Sequence, residues 1–152
     1  MFEKYTERAR RVIFSARYEA LRHGASRIET PCLLLAILNE SQGLVTRLLP
    51  GGAEELARLR AEVEALISQA AGTLAPNADL PLNHPAKRVL AYAAEESERL
   101  QDDIIDNGHL LLGVLREKGP ETACLKAHGI DLEKVREELD WVDPETGPGE
   151  PE

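Results

Sequence analysis

The sequence contains itself twice. Shifted by 77 positions, residues 8–40 lie over 85–117 without a gap. Ala9-x-Arg11-Val12 falls on Ala86-x-Arg88-Val89, Ala16 on Ala93, Glu19 on Glu96, Arg22 on Arg99 and Ile28 on Ile105. Leu33-Leu34-Leu35 falls on Leu110-Leu111-Leu112, and Leu38 on Leu115. One residue is then lost, and Thr46, Leu49, Leu56 and Glu62 meet Thr122, Leu125, Leu132 and Glu138. A repeat this long is one structural unit written twice, so the local plan of one half is the plan of the other.

Each copy reads as four helices. In the first, Ala9, Val12, Ile13, Ala16 and Ala20 follow the i, i+3, i+4, i+7 spacing of an amphipathic helix. Thr6 is its expected N-cap and Gly24 its stop. The second helix is expected to start at Thr30-Pro31, a cap followed by a proline whose missing N–H costs nothing there. Its body, Leu33 to Leu38, is apolar nearly all round and belongs at the centre of a core. A short third helix spans about 42–49 and ends at Pro50-Gly51-Gly52, and the fourth carries Leu56, Leu59, Val63, Leu66 and Ile67 on one face. The second copy repeats this with caps at Asn83, Asn107 and Asp131 and a short helix near 120–127. No strand pattern is present. The expected fold is all-α, a pseudo-two-fold domain of two four-helix motifs, about eight helices, over residues 1–142. Repeat one covers about 1–71, a linker about 72–82 and repeat two about 83–142, and the acidic tail 143–152 is expected to be disordered because it has almost nothing to bury.

Composition narrows the function. The chain is 43% hydrophobic and 30% charged but only 4% aromatic, with a formal net charge of −9. Residues 1–75 hold 10 Lys+Arg against 9 Asp+Glu, net +1, and residues 76–152 hold 8 against 18, net −10. An acidic half disfavours nucleic acid, whose phosphates need clustered cations, and the arginines of the first helix read as a solvated face. No apolar run approaches the roughly 20 residues of a membrane span. The charged start Met1-Phe2-Glu3-Lys4-Tyr5 is unlike a secretory signal, so the expected location is cytoplasmic. Cys32 and Cys124 sit in separate apolar runs and are expected as free thiols.

The motifs of catalysis are missing. No G-x-x-x-x-G-K-[ST] loop, G-x-S-x-G elbow, H-E-x-x-H or C-x-x-C occurs. Cys32 and His109 are repeat equivalents, yet no third ligand accompanies them, so neither a metal nor a cofactor is expected. The carboxylates Glu95, Glu96, Glu98, Asp102 and Asp103 read as solvated charge. The chain reads as a binding domain, not an enzyme.

The opening Met1-Phe2-Glu3-Lys4-Tyr5-Thr6-Glu7-Arg8-Ala9-Arg10-Arg11-Val12-Ile13 resembles the start of the ClpC-type N-terminal domain, the Clp repeat domain. Ile28-x-Thr30, the Leu-rich central helices and Asp79-Leu80-Pro81-Leu82 leading into Ala86-Lys87-Arg88-Val89-Leu90 resemble it too, over about residues 1–140. The resemblance implies a stand-alone recognition domain without ATPase modules. Its expected role is adaptor or regulator in Clp-dependent proteolysis, with a Clp ATPase, an adaptor or a degradation substrate as partner. The oligomeric state is left open. By position, the implied recognition surface holds Phe2, Thr6 and Thr30 from one repeat and Leu82, Asn83, Lys87 and Asn107 from the other. An alternative implied use of the same groove is sensing a small molecule or a modified residue such as phosphoarginine. Family members commonly carry Thr-Glu-His at both central-helix starts, where the glutamate grips a guanidinium. This chain has Thr30-Pro31-Cys32 and Asn107-Gly108-His109 instead. Glu29 and Asp106 are acidic, but a residue ahead of the cap is expected to point elsewhere.

Overall fold

The computed structural model describes residues 2–67 and 80–141, the last two of these by their backbone. Most of the expected linker and all of the expected tail fall outside the described residues. The described residues form eight helices: α1 (Glu7–Arg22), α2 (Thr30–Glu40), α3 (Gln42–Leu48), α4 (Gly52–Glu64), α5 (His84–Arg99), α6 (Asn107–Glu117), α7 (Pro120–Ala127) and α8 (Leu132–Trp141). The bounds of α1 and α5, and of α2 and α6, differ by the same 77 positions that relate the two copies. Among the described residues there is no strand, and the architecture is all-α.

Local chemistry sets the ends. Thr6 caps α1 by accepting the Ala9 N–H at 3.1 Å, and Asn83 caps α5 by accepting that of Ala86 at 2.9 Å. The α1 stop lies at Gly24, with φ at 73°, and its counterpart in repeat two is Gln101, with φ at 59°. Ala25 N–H bonds back to the Ala20 carbonyl at 2.9 Å, and Asp102 to Ser97 at 2.9 Å, so the same left-handed stop closes both helices. Asp131 accepts from the Lys134 N–H at 2.8 Å and opens α8. α4 ends at Glu64, one turn before the sequence pattern runs out. Ile67 is still buried and Leu66 half-buried in the turn that follows.

The core follows the apolar pattern. Thr30 through Leu38 and Asn107 through Leu115 are all buried, which makes α2 and α6 the central pair. α1 packs on α2 and α5 on α6, and the two central helices also meet each other. The α5–α6 approach is the closer: a Cβ on Gly113 would collide with the Val89 backbone carbonyl, while the equivalent residue on α2 is Ala36. Ion pairs and hydrogen bonds then tie the repeats together. Arg47 meets Glu138 at 2.9 Å, Lys134 Nζ donates to the Leu48 carbonyl at 2.8 Å, and His128 sits between Glu55 and Glu62 at 2.7 and 3.0 Å. Cys32 and Cys124 are free thiols; Cys32 is buried, and Cys124 is half-buried, more open than its apolar run implies.

A candidate recognition surface at two exchanged junctions

Two isolated parallel bridges organise the surface where the repeats meet: Tyr5 with Ile105, and Ile28 with Leu82. By the 77-residue offset Tyr5 corresponds to Leu82 and Ile28 to Ile105, so each bridge pairs one copy's entry segment with the other copy's. Thr6 N–H donates to the Ile105 carbonyl at 3.0 Å and Ile105 N–H to the Lys4 carbonyl at 2.8 Å. At the other junction Ile28 N–H donates to Pro81 at 2.8 Å and Asn83 N–H to Ile28 at 3.0 Å. The exchange brings the N-terminus of α1 beside that of α6, and the N-terminus of α5 beside that of α2.

The junctions gather six of the seven expected site residues into two groups. Phe2, Thr6 and Asn107 belong to the first. Phe2 is half-buried and sets its ring edge-on to Tyr5, with centroids 4.9 Å apart at 68°. Burial raises the Tyr5 hydroxyl to about 12. Thr30, Leu82 and Asn83 belong to the second, with Leu82 half-buried against the core. Lys87, one turn along α5, is exposed.

Two expected caps are corrected. Thr30 and Asn107 are the first residues inside α2 and α6, and the caps are Glu29 and Asp106, both in extended conformation. The Glu29 carbonyl already accepts the Leu33 N–H at 3.1 Å and that of Asp106 the Leu110 N–H at 3.1 Å, which starts each helix one residue early. Thr30 and Asn107 are therefore carried into the interior, at 2% and 4% exposure. Thr30 Oγ1 and Asn107 Oδ1 find no hydrogen-bond partner among the described residues. A buried polar atom without a partner is costly, so such atoms call for an explanation.

Asp106 differs from the expectation for an acidic residue at this point in the chain. Its carboxylate does not point away. It accepts the Thr6 hydroxyl at 2.8 Å and pairs with Arg8 Nη2 at 2.6 Å. Burial alone would raise this carboxyl, but the bonds from Arg8, the Thr6 hydroxyl and the Asn107 N–H outweigh it and hold the group below its ordinary value. The chain's own arginine thus meets the acid at the start of α6. The signal in the sequence was Arg8 two residues after a cap, with Pro85 at the equivalent place in the other copy.

His109 braces the same turn. The Asp106 N–H donates to its Nδ1 at 2.8 Å, which leaves the proton on Nε2, facing Asp102 Oδ2 at 2.8 Å. Both ring nitrogens are occupied, and burial pushes the Cys32 thiol up to about 11.

A two-fold helical domain whose repeats exchange their entry segments, and whose two junctions each gather helix N-termini, defines a double-repeat class. The chain matches the family model described as the Clp repeat (R) N-terminal domain over residues 4–128, and it belongs to that family. It is 36% identical over 140 residues to an "ATP-dependent Clp protease ATP-binding subunit ClpA homolog" of Guillardia theta, covering 91% of this chain and 17% of that protein. It is 36% identical, again over 91% of its length and 15% of the relative's, to "Chaperone protein ClpC1, chloroplastic" of Oryza sativa subsp. japonica. The chain thus spans about one-sixth of the relatives it matches. The N-terminal domain of Hsp104 from Candida albicans shares the fold with a TM-score of 0.72 at 19% identity, covering 89% of this chain and 88% of that one. The N-terminal domain of ClpD from Arabidopsis thaliana does so with a TM-score of 0.65 at 23% identity, over 89% and 91%. Among the described residues no helix is long and apolar enough to cross a membrane, and the chloroplastic relatives mean that family membership does not fix a compartment.

Proposed function

We propose that this chain is a non-catalytic protein-interaction domain that serves Clp-dependent proteolysis as an adaptor or regulator. In this reading a Clp ATPase, an adaptor or a degradation substrate docks at the exchanged junctions. The observation that carries the reading is the gathering of helix N-termini at each exchanged junction, α1 beside α6 and α5 beside α2. Helix N-termini present unpaired N–H groups and a partial positive charge, so a partner's carbonyl or anionic group finds donors there. Phe2 and Leu82, both half-buried, supply the apolar contact beside them.

The test is a crosslinking pull-down with the intact chain and with Phe2→Ala and Leu82→Ala. Recovery of a Clp ATPase, adaptor or degradation substrate by the intact chain, and its loss from both variants, is the expected result. If the intact chain recovers no such component, the functional reading fails. If both variants keep every partner, the surface assignment fails while the function stands. Free phosphoarginine should leave the melting temperature unchanged, because Arg8 already pairs with the Asp106 carboxylate; a saturable rise would favour the sensor reading instead.

A further inference from the structure

Each copy buries one glutamate on its first helix, and the two copies compensate it differently. Glu96, 1% exposed, accepts from Arg136 at 2.8 and 3.1 Å and from Arg116 at 3.3 Å, so two guanidinium groups surround it. Its equivalent, Glu19, is 7% exposed, and the residue corresponding to Arg116 is Asn39. Glu19 is instead joined by His23 one turn further along α1 and by a second carboxylate, Glu64, the last residue of α4. Arg22 lies between them, and its Nη2 bridges Glu19 Oε1 at 2.9 Å and Glu64 Oε2 at 2.6 Å.

We propose that Glu19, His23 and Glu64 form a binding site for a divalent transition metal of the zinc class, with Arg22 as a built-in competitor for the same two carboxylates. The ligand atoms lie within 4.8 Å of one another. His23 Nε2 is 3.0 Å from Glu64 Oε2 and 3.8 Å from Glu19 Oε1. Zinc holds imidazole nitrogen and carboxylate oxygen at about 2.0–2.2 Å, which puts neighbouring ligands in a tetrahedral shell about 3.4 Å apart. The two observed separations bracket that value. An imidazole with two carboxylates suits zinc and its neighbours in the first row.

Two further features favour a cation at this point. His23 caps the C-terminus of α1 and Glu64 closes α4, so the negative ends of two helices converge on it. Arg22 reaches the site from the solvent side, with its side chain 46% exposed, so it can swing out without opening the core. The bound ion would then pin the end of α1 to the end of α4, a clip that repeat two builds from arginines alone.

Titration with zinc alone, by calorimetry and by competition with a chromophoric chelator, tests the site. Arg22→Gln removes the competing cation and should tighten zinc binding about tenfold, equivalent to about 1.4 kcal/mol. His23→Ala and Glu64→Gln, each checked for an unchanged circular dichroism spectrum, should weaken it at least as much. Equal affinity in the intact chain and Arg22→Gln, or binding that survives Glu64→Gln, would overturn the proposal and leave the cluster as an ion pair. Glu64 is more than a third exposed on its side chain, so its variant is the one expected to fold normally.

Discussion

Where α1 meets α6, a guanidinium and a hydroxyl close the contact on one carboxylate: Arg8 Nη2 and Thr6 Oγ1 lie 2.6 and 2.8 Å from the oxygens of Asp106. Where α5 meets α2, the same backbone bridge is made, but Arg8 has become Pro85, which offers no side-chain donor. The duplication has kept the backbone exchange and let the side-chain chemistry diverge on top of it. The two junctions are alike in shape and different in charge, so one ligand has no reason to prefer both.

The contrast between the copies can be broken most strongly in the central helices. Gly113→Ala drives a methyl group into the Val89 carbonyl and should cost about 1–3 kcal/mol of stability by chemical denaturation. Ala36→Gly in the other copy meets no clash and should cost about 1–2 kcal/mol, from backbone entropy and the loss of one buried methyl. An unchanged midpoint for Gly113→Ala would show that α5 can retreat and that the closer packing of repeat two is not required.

Asp106→Ala comes next, at about 2 kcal/mol, because it removes charged hydrogen bonds at a site where both partners are only 14% exposed. The pH dependence gives the sign. A carboxyl held below its ordinary value contributes stability above the unfolded value of about 3.9, and that contribution fades as pH falls through the lower folded value. The intact chain should therefore lose stability toward acid over that range, and Asp106→Ala should lose that part of the slope.

The smallest effect has the opposite sign. Gln101 holds the left-handed conformation that Gly24 holds in the first copy. Gln101→Gly should stabilise the chain by about 1 kcal/mol or less, since a side chain with positive φ is crowded and glycine is not. A loss of stability would mean that the Gln101 side chain makes contacts that outweigh its strain.

Most of the fold was legible, because periodicity and repeat offset report helices directly. The central helices announced themselves through Leu33–Leu38 and Leu110–Leu115, and Thr6, Asn83 and Asp131 cap as their residue types suggest. Thr30 and Asn107 misled for the same reason: both are good caps by preference, but the chain enters each helix one residue earlier and takes them inside. The bridges left no trace in the pattern, since a single pair of extended residues has no period to detect. Asp106 was visible, but its partner lies 98 residues away, and only the fold brings Arg8 to it. The Glu19–His23 spacing could be read on one helix, whereas Glu64 arrives from another.

The exchanged entry segments give the molecule the topology of a domain-swapped dimer whose two protomers have been fused end to end. Neither half closes its own bridge: Tyr5 needs Ile105, and Leu82 needs Ile28. A half-chain on its own would present an extended edge and an uncovered central helix, a shape that invites a second copy of itself. The fused protein supplies that copy in the same molecule, at an effective concentration no dilution can change. Each junction therefore takes one side of its bridge from each repeat and exists only where the two repeats meet.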